Sequence, residues 1–418
     1  MQNNSQKKFI LFKKNTQYYK FCFYGFLKNL RFFEPFFILF LLEKGLSFTQ
    51  IALLYSVREI IIYITEIPTG IIADALGRKR TMVSSFGFYI ISFSLFYFSN
   101  SYGFLIIAIV FFAFGDSFRT GTHKAMIFEY LRIKSWQKFK VHYYGGTRSC
   151  SQVGSAISSL IAAALVFLTK NYDIVFLVSI VPVILDMLLI ISYPKELDRE
   201  TISLKYTDVL NKFKEIIKEL VINLKQKEKI LILFNVSSYS GYFKQTKDYL
   251  QYVIQSLAIS IPLVAGISQK QQTAIFIGIA FFIIYLLTSR ASKNSAKIKT
   301  LFPNSNKALN QMLFIGVIAG FIGGIFFHYS LYVLSVLFFL VIYLIENFRK
   351  PIGVSYVAEN FNSNSLATTL SVESLTKTIF ASIVALVLGF FADIFGVGIA
   401  LSIVSGLFFM LGLVLRLK

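Results

Sequence analysis

Apolar runs long enough to cross a lipid bilayer recur along almost the whole of this chain. Phe104–Phe114 and Leu331–Ile345, for example, belong to windows of about 20 residues, enough to span a hydrocarbon core about 30 Å thick. Only 15% of the 418 residues are charged and 56% are hydrophobic, whereas a soluble domain carries roughly 25% charged residues. The sequence therefore predicts an all-α integral membrane protein and argues against a set of soluble domains.

Hydropathy predicts twelve transmembrane helices in two groups of six. The expected spans are Tyr19–Leu42, Gln50–Ala73, Thr81–Phe98, Tyr102–Tyr130, Val141–Leu168, Ile174–Tyr193, Ile230–Gln255, Gln272–Ser289, Leu309–Phe327, Leu331–Val357, Leu366–Phe391 and Val397–Leu415. We divide the chain into an N-terminal six-helix bundle (residues 1–193), a polar linker (194–229) and a C-terminal six-helix bundle (230–418). Two such bundles suggest a pseudo-two-fold arrangement around a central site.

The net charge of +21 is spread unevenly between the two sides of the membrane. Lys and Arg in or beside the connections number 29 on one side and 3 on the other, the three being Lys44, Lys170 and Lys270. The positive-inside rule then predicts a cell-membrane protein with both termini in the cytoplasm. The bases lie in short clusters between apolar segments without a nucleic-acid motif, so we expect no nucleic-acid partner.

Two polar segments are expected to lie outside the bilayer. The linker carries apolar residues from Val209 to Leu224 at helical spacing among lysines, which predicts an amphipathic helix along the inner membrane surface. The polar, basic start, Met1–Asn15, runs into the first span without a small-residue cleavage site. We therefore expect the first helix to be retained and not removed as a signal peptide.

One connection carries a compact motif between the second and third spans. It reads Gly70-Ile-Ile-Ala-Asp74-Ala-Leu-Gly77-Arg78-Lys79-Arg80. Gly70 permits close helix approach, and Gly77 can adopt the positive φ of a tight turn. Asp74 can pair with Arg78 or with a neighbouring helix. The motif resembles the signature loop of the major facilitator superfamily, although Ala75 stands where many members carry a basic residue.

Other stretches resemble the same superfamily, so the resemblance covers nearly the whole chain. They are Arg119-Thr-Gly121, Arg349-Lys-Pro351 and Phe391-Ala-Asp393-Ile-Phe-Gly396. The resemblance implies a secondary active transporter, a symporter or an antiporter, that works by alternating access and is coupled to protons. It also implies that the signature loop governs conformational exchange. Thr147–Ala163 contains no proline, unlike the fifth span of the superfamily's drug–proton antiporters, which weakens multidrug efflux as an interpretation.

Charged residues inside the predicted spans are the candidates for solute binding and coupling. A charge at the bilayer centre costs on the order of 3 kcal/mol or more, so it normally faces a wet cavity or a partner. The candidates are Arg31, Glu34, Asp116, Arg119, His123, Arg148, Lys244, Glu346 and Glu373. Arg31 and Glu34 lie three residues apart on one helical face, as do Asp116 and Arg119. Each pair is either structural or part of the solute site.

These charges predict a small polar, charged solute. By resemblance to the superfamily, the spans of Arg31 and Arg119 border a central cavity, where two guanidiniums could hold an anion. Glu34 and Asp116 are then the expected proton carriers. The sequence does not separate uptake from export, and it leaves open a drug or metabolite efflux antiporter or a lipid flippase.

Enzymatic chemistry has little support in the sequence. The two cysteines, Cys22 and Cys150, and the three histidines show no metal-site spacing. No nucleotide-binding signature or catalytic triad is visible. We therefore expect no catalytic residue, no metal and no cofactor. The expected partners are a small-molecule solute, a coupling proton and membrane lipids, and the expected state is a monomer.

Overall fold

The computed structural model describes residues 14–120, 122–136, 140–198, 214, 218, 226–262, 265–361 and 366–418. Its helices are α1 Thr16–Leu27, α2 Phe37–Glu43, α3 Phe48–Leu76, α4 Arg78–Phe98, α5 Tyr102–Arg119, α6 Thr122–Ile133, α7 Lys140–Thr169, α8 Ile174–Ile191, α9 Lys227–Thr246, α10 Leu250–Ser260, α11 Gln269–Lys299, α12 Ser305–His328, α13 Tyr332–Asn360, α14 Leu366–Phe395 and α15 Val397–Val414. Short 3₁₀ turns occupy Glu34–Phe36, Lys195–Leu197 and Lys247–Tyr249. Most of the predicted linker, with its amphipathic helix, lies outside the described residues.

Ten helices in the described ranges are long and apolar enough to cross a membrane. They coincide with ten of the twelve predicted spans, and their outer faces carry exposed apolar side chains such as Val181 and Leu188 of α8. The all-α membrane fold is thus confirmed. The remaining two spans, the first and the seventh, are each divided into two shorter helices, which is consistent with twelve crossings. Both were predicted as continuous helices, as was the fourth span, which is assigned as α5 and α6, and that part of the prediction is wrong.

The first span breaks between α1 and α2. Pro35 lies at the start of the 3₁₀ turn, where it removes a backbone donor and disfavours helix at the residue before it. The side-chain amide of Gln251 meets the interrupted backbone. It donates to the carbonyl of Glu34 at 2.8 Å and accepts from the N–H of Ile38 at 2.9 Å. Broken helices persist at membrane depth only where neighbouring groups satisfy the backbone in this way.

The seventh span breaks at the corresponding place in the second group of helices. The 3₁₀ turn there follows α9 and precedes α10, which carries Gln251. The hydroxyl of Tyr343 donates to the carbonyl of Lys247 in this turn, at 3.3 Å. The two breaks therefore adjoin, and one glutamine bridges from α10 to the broken first span.

The second span of each group begins with the same device. Ser47 and Gln50 form a capping box at the start of α3, and Ser268 and Gln271 form another at the start of α11. Each box satisfies two backbone donors reciprocally and fixes where the helix begins. The two groups of helices thus repeat both a capped second span and a broken first span.

The helix bundle has two sides, which we name by the chain. On the terminal side, where α1 begins and α15 ends, Lys20 donates to the carbonyl of Ser192 at 2.8 Å. The opposite side carries the starts of α3 and α11. There the backbone N–H groups of Phe48 and Thr49 each donate to the carboxylate of Asp393 at 2.8 Å. Contacts of α3 with α14 and of α7 with α11 join the two groups of helices.

Candidate functional site

A cavity of about 170 Å³ lies where the two broken spans meet. Its wall includes residues from the first group of helices and residues around the seventh-span break. Eight of its lining side chains are charged, four of each sign: Arg31, Glu34, Arg58, Glu59, Asp116, Lys244, Lys247 and Asp248. We call it the central cavity. Four of these residues, Arg31, Glu34, Asp116 and Lys244, were predicted as site residues, and the other four were not.

Asp116 on α5 is the centre of an ionic network on one wall. Its Oδ1 lies 2.9 Å from Nη2 of Arg31 and 2.8 Å from Nη2 of Arg119. The hydroxyl of Tyr89 donates to the same oxygen. The two guanidiniums also donate to that hydroxyl, at 3.2 Å from Arg31 and 2.9 Å from Arg119. The two arginines that the sequence predicted to converge therefore do so, on a carboxylate of the protein.

Glu34 is attached more loosely to this network. Its carboxylate lies 3.9 Å from Nη1 of Arg31, and 41% of its side chain is exposed. The predicted one-face spacing thus brings the two groups together, but only at the limit of an ion pair. Glu34 is therefore the more exposed of these two carboxylates, since 16% of the Asp116 side chain is exposed.

Glu59 on α3 forms a second ionic group, which joins the two groups of helices. Its carboxylate is fully buried and lies 3.0 Å from Nη2 of Arg58. It also accepts a hydrogen bond from the ammonium of Lys244 on α9. Taking these charges out of water is costly, and their mutual attraction is the compensation. One buried carboxylate therefore connects the first group of helices to the seventh span.

A second and larger pocket, of about 430 Å³, lies beside the central cavity within the first group of helices. Its cations are Lys28 of the turn after α1, Arg119 of α5 and Lys124 of α6. Neutral hydrogen-bonding side chains join them: Asn29, Thr120, Thr147, Ser151 and Gln152. No carboxylate occurs among its described lining residues. We call it the cationic pocket.

Arg119 belongs to both regions. Its side chain lines the cationic pocket, while its guanidinium holds Asp116 in the wall of the central cavity. Behind both lies a small void of about 20 Å³ that Arg119 shares with Lys28 and Asp186. Among the described residues, neither carboxylate oxygen of Asp186 has a hydrogen-bond partner.

His123 lies in the wall of the cationic pocket. Its ring stacks on Tyr24, with 3.6 Å between the ring centroids. Its Nε2 lies 3.2 Å from the hydroxyl of Tyr193. The ring is therefore held by stacking and one hydrogen bond at the pocket wall, and its predicted part in solute binding stays a prediction.

Two further predicted site residues, Glu346 and Glu373, are not among the lining residues of the central cavity. Glu346 on α13 is buried and accepts a hydrogen bond from Ser240 at 2.9 Å. Glu373 on α14 is half-buried. Neither is among the residues that line the central cavity or the cationic pocket. The side chain of Arg148 lies outside the described part of the structure, so its predicted role stays a prediction.

The signature loop forms the turn between α3 and α4 on the terminal side. Gly77 has φ +97°, so the predicted positive φ is confirmed. A Cβ at this position would lie 2.7 Å from Oδ1 of Asp198, the oxygen that accepts the backbone N–H of Lys79 at 2.9 Å. The ammonium of Lys79 donates to the carbonyls of Ile191 and Tyr193 at 2.9 and 2.8 Å. The loop thus ties α4 to the end of the sixth span.

The two arginines of the motif differ in burial. Arg78 is buried and donates to the carbonyl of Ala125 at 3.4 Å, whereas Arg80 is exposed. Of Gly70 and Asp74, the structure describes only the helical backbone. The predicted pairing of Asp74 therefore stays a prediction, and Asp198, which the motif does not contain, is the described carboxylate of this turn.

Comparison with known proteins decides the family. A family model described as Major Facilitator Superfamily matches residues 21–381. The chain belongs to the major facilitator superfamily. It is 34% identical over 93 residues to YxaM of Bacillus subtilis (strain 168), described as an uncharacterized MFS-type transporter, and that stretch is 22% of this chain and 23% of YxaM. The resemblance read from the signature loop is thus confirmed.

Solved structures of several transporters match this chain along nearly its full length. The nucleoside transporter NupG has a TM-score of 0.70 at 14% identity, over 95% of this chain and 96% of that one. A POT family transporter in complex with 5-aminolevulinic acid has a TM-score of 0.71 at 13% identity, over 95% of each chain. The peptide transporter POT in complex with sulfate has a TM-score of 0.71 at 14% identity, over 95% and 93%. These likenesses establish the fold alone.

Several residues of the central cavity were not singled out as site residues from the sequence. The nine candidates named from the sequence do not include Arg58, Glu59, Lys247 or Asp248. The ion pair of Lys247 with Asp248, at 2.9 Å, could have been suspected from their adjacency. The partnership of Glu59 with Lys244 spans 185 positions of the chain, and no local pattern indicates it.

Proposed function

We propose that this transporter moves a small polar, charged solute through the central cavity by alternating access, coupled to protons. The observation that carries the proposal is the composition of that cavity, where eight charged side chains meet at the contact of two broken spans. Intramembrane charges of this density are costly and characteristic of solute and ion pathways. The family is a transporter family, so we assign the chain no enzymatic activity and no cofactor.

The charge content of the cavity argues for the solute class. An apolar solute would cover these charged groups without forming hydrogen bonds to them. Burying unpaired charges costs a large free energy. A solute with carboxylate, phosphate or ammonium groups replaces the ion pairs with new ones. This contrast disfavours the two alternatives, a drug efflux antiporter and a lipid flippase.

The two arginines of the network support an anionic group on the solute. Arginine stays protonated and offers a planar fork that matches carboxylate and phosphate oxygens. Arg31 and Arg119 both hold Asp116 in the present arrangement. A solute anion would take the place of that carboxylate for one or both guanidiniums, and the released carboxylate could then accept a proton. Glu34, half-open at the same wall, is the second expected carrier.

Alternating access requires contacts that break and re-form between the two six-helix bundles. On the opposite side, they include the hydrogen bond from the start of α3 to the carboxylate of Asp393 and the ion pair of Lys270 with Glu43, at 2.5 Å. The pair of Lys244 with Glu59 and the bridge made by Gln251 lie deeper. We infer that this arrangement exchanges solute with the terminal side, which we assign to the cytoplasm, and that the protein works as a monomer in the cell membrane.

A two-step experiment tests the proposal. Purified protein is screened by thermal shift against amino acids, sugars, organic acids, nucleosides and common drugs, and the hits are then tested for uptake into proteoliposomes. We expect the stabilising compounds to be polar and charged, with uptake that changes when a pH gradient is imposed. Uptake confined to apolar drugs, or transfer of labelled lipid between leaflets without solute uptake, would overturn it in favour of an alternative.

A matched pair of variants connects the result to the cavity. Arg31→Lys keeps the charge and removes the planar fork, whereas Lys297→Gln removes an exposed positive charge at the end of α11. Affinity for the identified solute should fall with Arg31→Lys and stay unchanged with Lys297→Gln. Normal transport of an anionic solute by the Arg31→Lys protein would remove Arg31 from the site.

A further inference from the structure

We propose that the solute of the central cavity is a zwitterion. Its carboxylate is held by Tyr55 and Arg58 together with Arg31. Its ammonium is held by Glu34. The inference rests on the proposed function, because it names the solute class of the same cavity and adds two residues that hold the solute. Both halves of it come from hydrogen-bonding capacity that the described residues leave unused.

Tyr55 and Arg58, both on α3, line the cavity and carry unused donors. The guanidinium of Arg58 lies over the ring of Tyr55, 5.0 Å from the ring centroid. The hydroxyl of Tyr55 is buried and has no hydrogen-bond partner among the described residues, and the same is true of Nε of Arg58. A buried polar group without a partner is costly. The empty cavity therefore offers two donors to an acceptor that the solute supplies.

The guanidinium of Arg58 is only partly used by the protein. Its Nη2 donates to the carboxylate of Glu59 at 3.0 Å, whereas a guanidinium has five N–H donors in a planar fork that matches a carboxylate. A carboxylate accepts several hydrogen bonds at once, so a guanidinium and a tyrosine hydroxyl on one wall suit it. Arg31, which belongs to the anion site of the proposed function, lines the same cavity.

Glu34 is the least engaged carboxylate of the cavity. The other three, Asp116, Glu59 and Asp248, are at most 16% exposed and lie within 3.0 Å of a cation. The carboxylate of Glu34 is 41% exposed, and Nη1 of Arg31 lies 3.9 Å from it, beyond hydrogen-bond distance. A carboxylate in this position can accept charge-assisted hydrogen bonds from an ammonium group.

The two charged groups belong to one small molecule. The cavity has four side chains of each sign, so a solute anion alone would add an uncompensated charge, which an ammonium on the same molecule cancels. Glu34 and Arg31 are within ion-pair distance, so few bonds separate the ammonium from the carboxylate, as in an amino acid. The volume of about 170 Å³ is below the roughly 300–1,000 Å³ of drug-sized sites. Because Glu34 pairs with the ammonium, Asp116 is the carboxylate that takes the coupling proton.

Equilibrium titrations separate the two charged groups of the solute. Purified full-length protein in nanodiscs is titrated calorimetrically with each standard amino acid. Every amino acid that binds is compared with the acid that lacks its amino group, the desamino acid, and with the amine that lacks its carboxyl group. We expect both analogues to bind about tenfold more weakly or worse, because each loses a hydrogen-bonded charge.

Two variants assign the charged groups to their residues. Glu34→Gln should weaken binding of the amino acid about tenfold and leave binding of the desamino acid unchanged. Tyr55→Phe removes a hydroxyl that no described residue uses, so the protein should fold, and the amino acid and the desamino acid should both bind about tenfold more weakly. The controls remove an exposed carboxylate at the end of α13, Glu359→Gln, and an exposed hydroxyl after α12, Tyr329→Phe. Both should bind as the wild type does.

This inference and the proposed function fail by different results. Equal affinity for an amino acid and its desamino acid, or an equal loss for both in Glu34→Gln, overturns the ammonium site. Unchanged affinity in Tyr55→Phe overturns the carboxylate site. Binding by no amino acid overturns the zwitterion, and uptake of another charged polar solute then leaves the proposed function standing. Absence of uptake of any charged polar solute by wild-type proteoliposomes overturns the proposed function, whatever the titrations give.

Discussion

The central cavity and the cationic pocket are neighbours that share one guanidinium, yet they treat charge differently. In the central cavity every described carboxylate has a cation within ion-pair distance, as Glu59 has in Arg58 and Lys244. In the cationic pocket three cations face one space without a carboxylate in the described lining. A neutral, paired cavity suits exchange of partners, because each ion pair can open only if a solute supplies the replacement. The cationic pocket instead presents ammonium, guanidinium and neutral hydrogen-bonding groups to one space.

The comparison depends first on the side of the membrane to which the two regions open. Reporter fusions test this with a yes-or-no result. Both should open to the cytoplasm, because the lysine and arginine bias assigns the terminal side there. Reporter fusions after Lys44, Lys170 and Lys270 should report the exterior, and fusions after Arg80 and Lys140 the cytoplasm. A cytoplasmic signal from the Lys170 fusion would overturn the helix count of the first half.

Substitution of the shared residue should affect both regions together. Arg119→Ala leaves Asp116 with Arg31 and Tyr89, and the loss of a hydrogen bond to a charged group costs about 1.5–3 kcal/mol. We expect reduced yield of folded protein. Arg119→Lys should fold and still lose affinity for the solute, because the planar fork is gone. Normal affinity in the Arg119→Lys protein would separate the two regions.

Substitution of Glu59 should affect the central cavity alone. Glu59→Gln leaves Arg58 and Lys244 without their buried counter-charge, at a cost of roughly 3 kcal/mol or somewhat more. The melting temperature of the protein should therefore fall. The control is Glu43→Gln at the exposed pair with Lys270, where the loss should be within about 1 kcal/mol. Equal destabilisation by both variants would show that the Glu59 pair is no stronger than a surface pair.

The smallest effect on binding is expected in the signature loop. Gly77→Ala places a Cβ near Asp198 at a backbone conformation of φ +97°, which costs a non-glycine residue on the order of 1–3 kcal/mol. Because the loop lies on the terminal side, uptake should slow while equilibrium binding of the solute changes little. A loss of solute affinity as large as the loss of uptake rate would show that the loop contributes to the binding site itself.

The sequence predicted the parts of this molecule that are local. Apolar length located the spans, three-residue spacing predicted the pairs of Arg31 with Glu34 and of Asp116 with Arg119, and glycine chemistry predicted the turn at Gly77. Each depends on residues within one helical turn or one loop, where the physical rule acts directly.

The parts that escaped prediction depend on partners far apart in the chain. The break of the first span is satisfied by Gln251, 217 positions from Glu34, so hydropathy alone gave a continuous helix. The ion pair of Glu59 with Lys244 escaped prediction for the same reason, because its partners lie 185 positions apart. The cationic pocket requires α1, α5, α6 and α7 to meet, and the sequence only indicated that each carries polar residues.

The carboxylate of Asp393 at the start of α3 has a consequence for the balance between conformational states. It receives the first two backbone N–H groups of that helix from across the interface of the two bundles. When the opposite side opens, these donors lose their acceptor, and a lost helix cap costs about 1 kcal/mol. One kcal/mol is a factor of roughly five in a two-state population. Under the proposed alternating access, the binding of solute and proton must supply at least this free energy before the opposite side opens.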